Sequence, residues 1–245
     1  MTSIRVAIAG TSWWADAMYL PALKGNLPAE VVAACGRNHQ RAKNFAQRWG
    51  IPNYYTDYQI MLNEAELDAV IISTGNDTHA PFTLAALEKG IPVLCEKPLS
   101  MNLQETQNMV SASKKNNTAL LEAMWMRYLP HIDFLKKILK DDPIGKVHSL
   151  YACHGQNLKG VKNPRLWTKE LGGGSLLDLG IYVVSLSQMI LGNPKNILAK
   201  SIFTKEGIDA KTSMIFEYNN GEIANLSCTM YDCHPNRAVI SGEEG

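Results

Sequence analysis

The features this chain lacks exclude several classes of function. Lys and Arg supply 24 of its 245 residues and Asp and Glu 23, a formal net charge of +1 with histidine neutral. Without a basic excess there is no electrostatic case for a nucleic-acid or anionic-membrane partner. No run approaches the ~18 apolar residues of a membrane span, and the N-terminus starts a strand pattern, so neither a span nor a signal peptide is expected. The five cysteines (35, 95, 153, 228 and 233) are odd in number and contain no CxxC pair. That argues against a disulfide framework and predicts reduced thiols in the cytoplasm. Cys228, Cys233 and His234 fit no zinc spacing, so no metal is expected. No internal repeat or low-complexity linker is visible. The remaining composition, 46% hydrophobic and 19% charged, is that of a globular protein with a real core.

One glycine of a familiar motif is also missing. Ile4 to Ala9 is a continuous apolar run, read as a strand buried on both faces. Gly10-Thr11-Ser12-Trp13-Trp14-Ala15 follows, and then a helical stretch to about Lys24. This is G-x-S-x-x-A against the dinucleotide fingerprint G-x-G-x-x-G/A. Ser12 is a mild replacement for the middle glycine, and its hydroxyl can donate to a phosphate oxygen. The turn sits where a helix N-terminus receives anions. Trp13 and Trp14 belong to the same cofactor-binding turn, where their expected part is packing rather than chemistry.

An acid is missing after the second strand, Glu30 to Cys35. An NAD enzyme places Asp or Glu there, on the ribose 2′-hydroxyl. Here Gly36, Arg37 and Asn38 follow, with Arg41 one turn into the next helix. Two guanidinium groups without a carboxylate suit a 2′-phosphate, so NADP(H) is preferred and NAD(H) is the second choice. Further strands are expected at Asn53–Tyr55, Asp68–Ser73, Val93–Cys95 and Ala119–Ala123. Helices run from His39 to Trp49, from Tyr58 with Asp57 as N-cap, from about Pro81 to Lys89, and from Leu103 to Asn116. Six strands alternating with helices predict a Rossmann doubly wound parallel sheet over residues 1–123. Thr74, Asn76 and His79 lie in the loop after the fourth strand, at a cofactor-facing strand end.

After Met124 the pattern changes. A helix at His131–Lys140 is followed by strands at 146–154, 197–203, 212–218, 223–229 and 238–240. Asn219-Asn220-Gly221 is a hairpin signal between two of them. Residues 124–245 are therefore read as a second domain of mainly antiparallel sheet.

Two stretches carry the chemistry. Glu96-Lys97-Pro98 breaks the fifth strand at its carboxyl end, where open α/β sheets bind ligands. Gly172-Gly173-Gly174 leads to Ser175, read as an N-cap, and to an apolar helix running to Ile190. Asp178, Tyr182 and Ser185 form a polar stripe on one helix face. A carboxylate there needs a cation to offset its desolvation. Lys97 is the candidate.

With these motifs the chain resembles the glucose–fructose oxidoreductase / inositol dehydrogenase / MocA (Gfo/Idh/MocA) family. Tyr182, where many members carry His, and Glu122-Ala123-Met124-Trp125-Met126-Arg127 bring it closer to the dimeric dihydrodiol dehydrogenase and glucose–fructose oxidoreductase branches. The resemblance implies hydride exchange between NADP(H) and a sugar, polyol or cyclic diol. Tyr182 is then the general acid and base, assisted by Lys97 and Asp178, with Glu96 and Lys97 at the cofactor. Trp125, Arg127, His154, Asn157, Arg165 and Trp167 are the substrate-pocket candidates. Family chains continue past the equivalent of Ile240-Ser241-Gly242. The second sheet is thus expected to be incomplete, with homo-oligomer formation through it if it is complete. The rival reading is a cofactor-binding regulator without turnover; retention of Lys97 and Tyr182 argues against it.

Overall fold

The computed structural model of the protein describes residues 3–25, 28–141 and 143–245. The chain divides into two compact units, Met1–Ala123 and Met124–Gly245.

In the first unit, strands β1 (Ile4–Ala9), β2 (Ala29–Cys35), β3 (Asn53–Tyr55), β4 (Ala69–Ile72), β5 (Val93–Glu96) and β6 (Leu120–Ala123) form one parallel sheet. Its order is β3-β2-β1-β4-β5-β6, the doubly wound arrangement. The apolar run in β1 follows from cover on both faces. Ala7 and Ala9 face one core with Met61, Leu87 and Met109, while Val6 and Ile8 face another with Leu20 and Phe45. The helices are α1 (Leu20–Leu23, after a π-helical turn Ala15–Tyr19), α2 (His39–Trp49), α3 (Tyr58–Glu64), α4 (Asn76–Glu88) and α5 (Leu103–Lys115). Asp57 caps α3 by accepting from the Ile60 N–H at 3.0 Å.

One boundary differs from the sequence expectation. Helix α4 starts at Asn76, and Pro81 lies inside it. Proline suits the first turn of a helix; here it falls in the second turn and forgoes the hydrogen bond to the Asp77 carbonyl. Asn76 and His79 are consequently buried helical residues and not loop residues.

The second unit holds a mixed five-stranded sheet of order β11-β7-β10-β9-β8. Its strands are β7 (Val147–Gly155), β8 (Asn196–Phe203), β9 (Asp209–Glu217), β10 (Ile223–Thr229) and β11 (Arg237–Gly242). Only the β7–β10 pair is parallel. Helices α6 (Pro130–Lys140), α7 (Pro164–Trp167) and α8 (Ile181–Leu191) complete it, with a 3₁₀ turn at Trp125–Tyr128. By length and composition alone, the helical stretch 169–191 could cross a membrane, contrary to the sequence expectation. In the fold it starts with irregular turns, and its α8 portion packs on Leu150, Met214, Phe216 and Leu226. The opposite sheet face is open, with the register row Val239, Tyr151, Asn225, Ile215, Leu198 running across it.

Four cysteines are buried and Cys233 is exposed, all as free thiols. Burial pushes Cys95 up to about 12 and Cys35 and Cys228 up to about 11, which keeps these three neutral.

Candidate active site

The first unit presents its candidate residues on backbone turns at strand ends. Gly10 follows β1 with φ +110°. A Cβ there would lie 2.2 Å from the Ser73 carbonyl oxygen at the end of β4. Only glycine lets the first turn pass so close to the neighbouring strand. Ser12 uses its hydroxyl locally: it accepts from the Ala15 N–H at 3.0 Å and lies 2.9 Å from the Ser73 hydroxyl. That braces the turn where the fingerprint glycine would leave it bare. Trp14 is half-buried, but Trp13 is 68% exposed, so core packing does not explain it.

Arg41 reaches back to this turn, donating from Nε and Nη2 to the Thr11 carbonyl at 3.0 and 2.7 Å. Asn38 caps α2 by accepting from the Arg41 N–H at 2.9 Å. Thr11, Ser12, Trp13, Asn38, Arg41 and Arg48 line an open cleft of about 730 Å³. Asp16 also lines it, paired with Arg48 at 3.0 Å and accepting from the Trp49 indole at 2.6 Å. Arg37 stands exposed just past β2. A tight glycine turn beside a cationic cleft at the sheet switch point fits a dinucleotide phosphate.

The Lys97 turn is braced from three elements. Tyr19 donates to Glu96 Oε1 at 2.6 Å, and the Lys97 N–H donates to Glu96 Oε2 at 3.1 Å. His79, fully buried on α4, places Nδ1 2.8 Å from the Pro98 carbonyl, so that nitrogen carries the proton. The Leu99 N–H donates to Glu122 at 2.9 Å. The Lys97–Pro98 peptide is cis. Glu96 and His79, expected at the cofactor, thus hold the turn that carries Lys97. Thr74 accepts from the Thr78 hydroxyl at 2.8 Å, and Asn76 opens α4 from a buried position. Tyr19 and Glu122 gave no sequence signal of this role, because each acts on a residue far along the chain.

The second unit builds with side chains. A π-helical turn, Leu176–Gly180, precedes α8, and Asp178 and Tyr182 lie on these two segments. Ser175 holds the N-cap position, but its backbone is already helical and its side chain makes no cap bond. Asp209 at the start of β9 takes that role. Its Oδ2 accepts from the Ser175 hydroxyl and the Leu176 N–H, both at 2.7 Å, and from Thr212 at 3.0 Å. A carboxylate outcompetes a hydroxyl at the positive end of a helix. Gly174, with φ +122°, is needed beside it, because a Cβ would lie 2.2 Å from Asp209 Oδ1.

Each member of the polar stripe meets a partner from elsewhere in the unit. Asp178, its side chain only 13% exposed, pairs with Arg165 Nη2 at 3.0 Å. The cation that the sequence argument demanded is thus supplied within the unit. Tyr182 Oη accepts from Trp125 Nε1 at 2.9 Å, and the His154 ring stands edge-on to its ring at 5.2 Å between centroids. Ser185 Oγ accepts from Arg127 Nε at 2.8 Å, and Arg127 Nη2 also reaches Gln188 at 2.6 Å. Four of the six pocket candidates therefore gather on the stripe. Asn157 and Trp167 make local bonds instead, Asn157 accepting from the Lys159 N–H and Trp167 donating to the Val161 carbonyl. Among the described residues, no group of three or more His, Cys, Asp or Glu is placed to hold a metal.

Residues 4–123 match the oxidoreductase family GFO_IDH_MocA, NAD-binding Rossmann fold, and residues 132–245 match the GFO/IDH/MocA C-terminal domain. Among curated relatives, trans-1,2-dihydrobenzene-1,2-diol dehydrogenase of Xenopus tropicalis is 35% identical over 224 residues, covering 89% of this chain and 67% of that one. The chain spans about two thirds of the length of the curated relatives it matches. Among solved structures, aldose-aldose oxidoreductase from Caulobacter crescentus, complexed with glycerol, superposes with a TM-score of 0.91 at 25% identity. That match covers 99% of this chain and 75% of the other. A 3-ketoreductase from Actinomadura kijaniata, in complex with NADP and TDP-benzene, gives 0.91 at 26% identity, covering 98% and 74%. Across the solved neighbours the bound cofactor is NADP in some and NAD in others.

Proposed function

This chain belongs to the Gfo/Idh/MocA family of NAD(P)-binding oxidoreductases, and we propose that it transfers a hydride between NADP(H) and a CH–OH carbon of a sugar, polyol or cyclic diol. When bound, the cofactor supplies or accepts the hydride at nicotinamide C4. Tyr182 handles the proton: it takes the hydroxyl proton in oxidation and returns one to the carbonyl oxygen in reduction. Lys97 supplies the positive charge that stabilises the phenol oxygen while its proton is away, and Asp178, held by Arg165, assists from the same helical stretch as Tyr182. The observation that carries this reading is Tyr182 itself, a phenol set in a polar stripe with Trp125 and His154 around it.

The cofactor preference rests on the loop after β2. Arg37 and Arg41 stand where an NAD-specific chain would carry a carboxylate, and Arg41 is anchored on the first turn beside the cleft. The substrate class rests on the relatives, named for diols and aldoses. The test follows reduced-nicotinamide absorbance while a panel of aldoses, polyols and cyclic diols, with their carbonyl counterparts, is offered. Turnover of at least one compound is expected. Tight NADP(H) binding with no turnover across the panel would favour a cofactor-binding regulator instead.

A further inference from the structure

We propose that Trp125 is a positioning residue for the proton transfer. Its indole N–H fixes the direction in which the Tyr182 hydroxyl donates and stabilises the oxygen once the proton has left. The inference rests on the reading of Tyr182 as general acid and base.

The bond runs from Trp125 Nε1 to Tyr182 Oη at 2.9 Å, with the two rings 5.8 Å apart between centroids and tilted by 65°. An indole N–H donates and has no means to accept. The phenol oxygen is therefore the acceptor in this bond, whether or not Tyr182 carries its proton. Its own O–H must point to a different acceptor. In the proposed reaction that acceptor is the substrate oxygen. A hydroxyl in place of the indole could donate or accept, and the tyrosine proton would then have two resting places. When the proton leaves, the charged oxygen keeps a donor that was already aimed at it, so no group has to reorient.

The aim of the indole does not come from burial, since Trp125 is 45% exposed. It comes from the 3₁₀ turn Trp125–Tyr128. Arg127 of the same turn donates to the Ser185 hydroxyl at 2.8 Å, the Ser185 carbonyl at 3.3 Å and Gln188 at 2.6 Å. The turn thus grips α8 one helical turn beyond Tyr182. Among the described residues of the unit, the charged or titratable groups on or against the stripe that carries Tyr182 include His154 from β7, Asp178 with its partner Arg165, and Arg127. Trp125 differs from all of them in carrying no charge and not titrating in the working range.

Two replacements test this. Trp125→Phe keeps an aromatic ring and removes the N–H. Exchange of Trp125 for 3-benzothienylalanine keeps the bicyclic shape and puts sulfur where the N–H was, and it decides the matter if the phenylalanine chain folds poorly. Either change is expected to lower kcat about 10- to 100-fold, the worth of a hydrogen bond to a charged oxygen, with KM and cofactor affinity nearly unchanged. In the oxidation direction the rise of rate with pH should move to higher pH. Without cofactor, the phenolate absorbance of Tyr182, taken as the difference from the same chain bearing Tyr182→Phe, should also emerge at higher pH. A benzothienyl chain with wild-type kcat and an unmoved phenolate onset would overturn the inference while leaving Tyr182 its role. A Tyr182→Phe chain with wild-type turnover would overturn the acid–base reading, and this inference with it, even if the absorbance shifted.

Discussion

The two units present their candidate functional residues in different ways. The first places the Gly10 turn and the Lys97 turn at the ends of parallel strands, and the fold itself puts strand ends there. Buried residues brace those turns: Ser73 against the first, His79 and Glu96 around the second. The second unit places a stripe of side chains on one helical stretch and completes it from distant segments. Trp125 and Arg127 come from the turn before α6, Arg165 from α7 and Asp209 from β9. At the strand-end turn, Ser12 stands in the place of a motif glycine and braces the turn through Ala15 and Ser73. A site built from matched side chains loses a function with each member.

That contrast sets the expected sizes of damage. The largest is Tyr182→Phe, which keeps the ring and removes one proton carrier. Turnover with a working substrate should fall about 10²- to 10⁴-fold in steady-state kinetics, while NADP(H) still binds at near wild-type affinity. Loss of cofactor binding in step with turnover would mean that the hydroxyl holds the cofactor and is not only a proton carrier. Next is Gly174→Ala, which must move the Asp209 carboxylate or abandon φ +122°. It should destabilise the protein by on the order of 3 kcal/mol in denaturant unfolding. An unchanged midpoint would show that the Asp209 cap does not depend on that close approach. Smaller again is the Arg37→Ala/Arg41→Ala double variant. In calorimetric titration it should weaken NADP(H) by about tenfold or somewhat more and leave NAD(H) nearly alone, because charge-assisted bonds to one phosphate are at stake. Equal losses for both cofactors would instead assign Arg41 to shaping the Thr11 turn.

The same contrast explains what the sequence could show. Apolar runs and their alternation revealed the strands, since each face of each sheet imposes its own period. The Gly10 turn and Glu96-Lys97-Pro98 were legible because strand-end turns are contiguous in sequence. The polar stripe was legible because helical spacing brings Asp178, Tyr182 and Ser185 together. Their partners were not legible as partners. Arg165 was visible as a residue suited to a pocket, yet nothing local tied it to Asp178, and a burial argument can demand a cation without naming it. Asp209 was missed because a strand residue far downstream displaced Ser175 from a role its type suits well. Helix α4 was misplaced because Pro81 usually marks a first turn, and here the helix had begun earlier.

The central proposal is that Lys97 assists Tyr182 in the proton transfer. A double-mutant cycle tests it most directly, with steady-state rates for Lys97→Met, Tyr182→Phe and the two combined, each checked for NADP(H) binding. The account predicts a large loss for each single change and a combined loss far below their product, because a cation that assists a phenol has nothing to assist once the hydroxyl is gone. Losses that multiply would show two independent roles and contradict the claim.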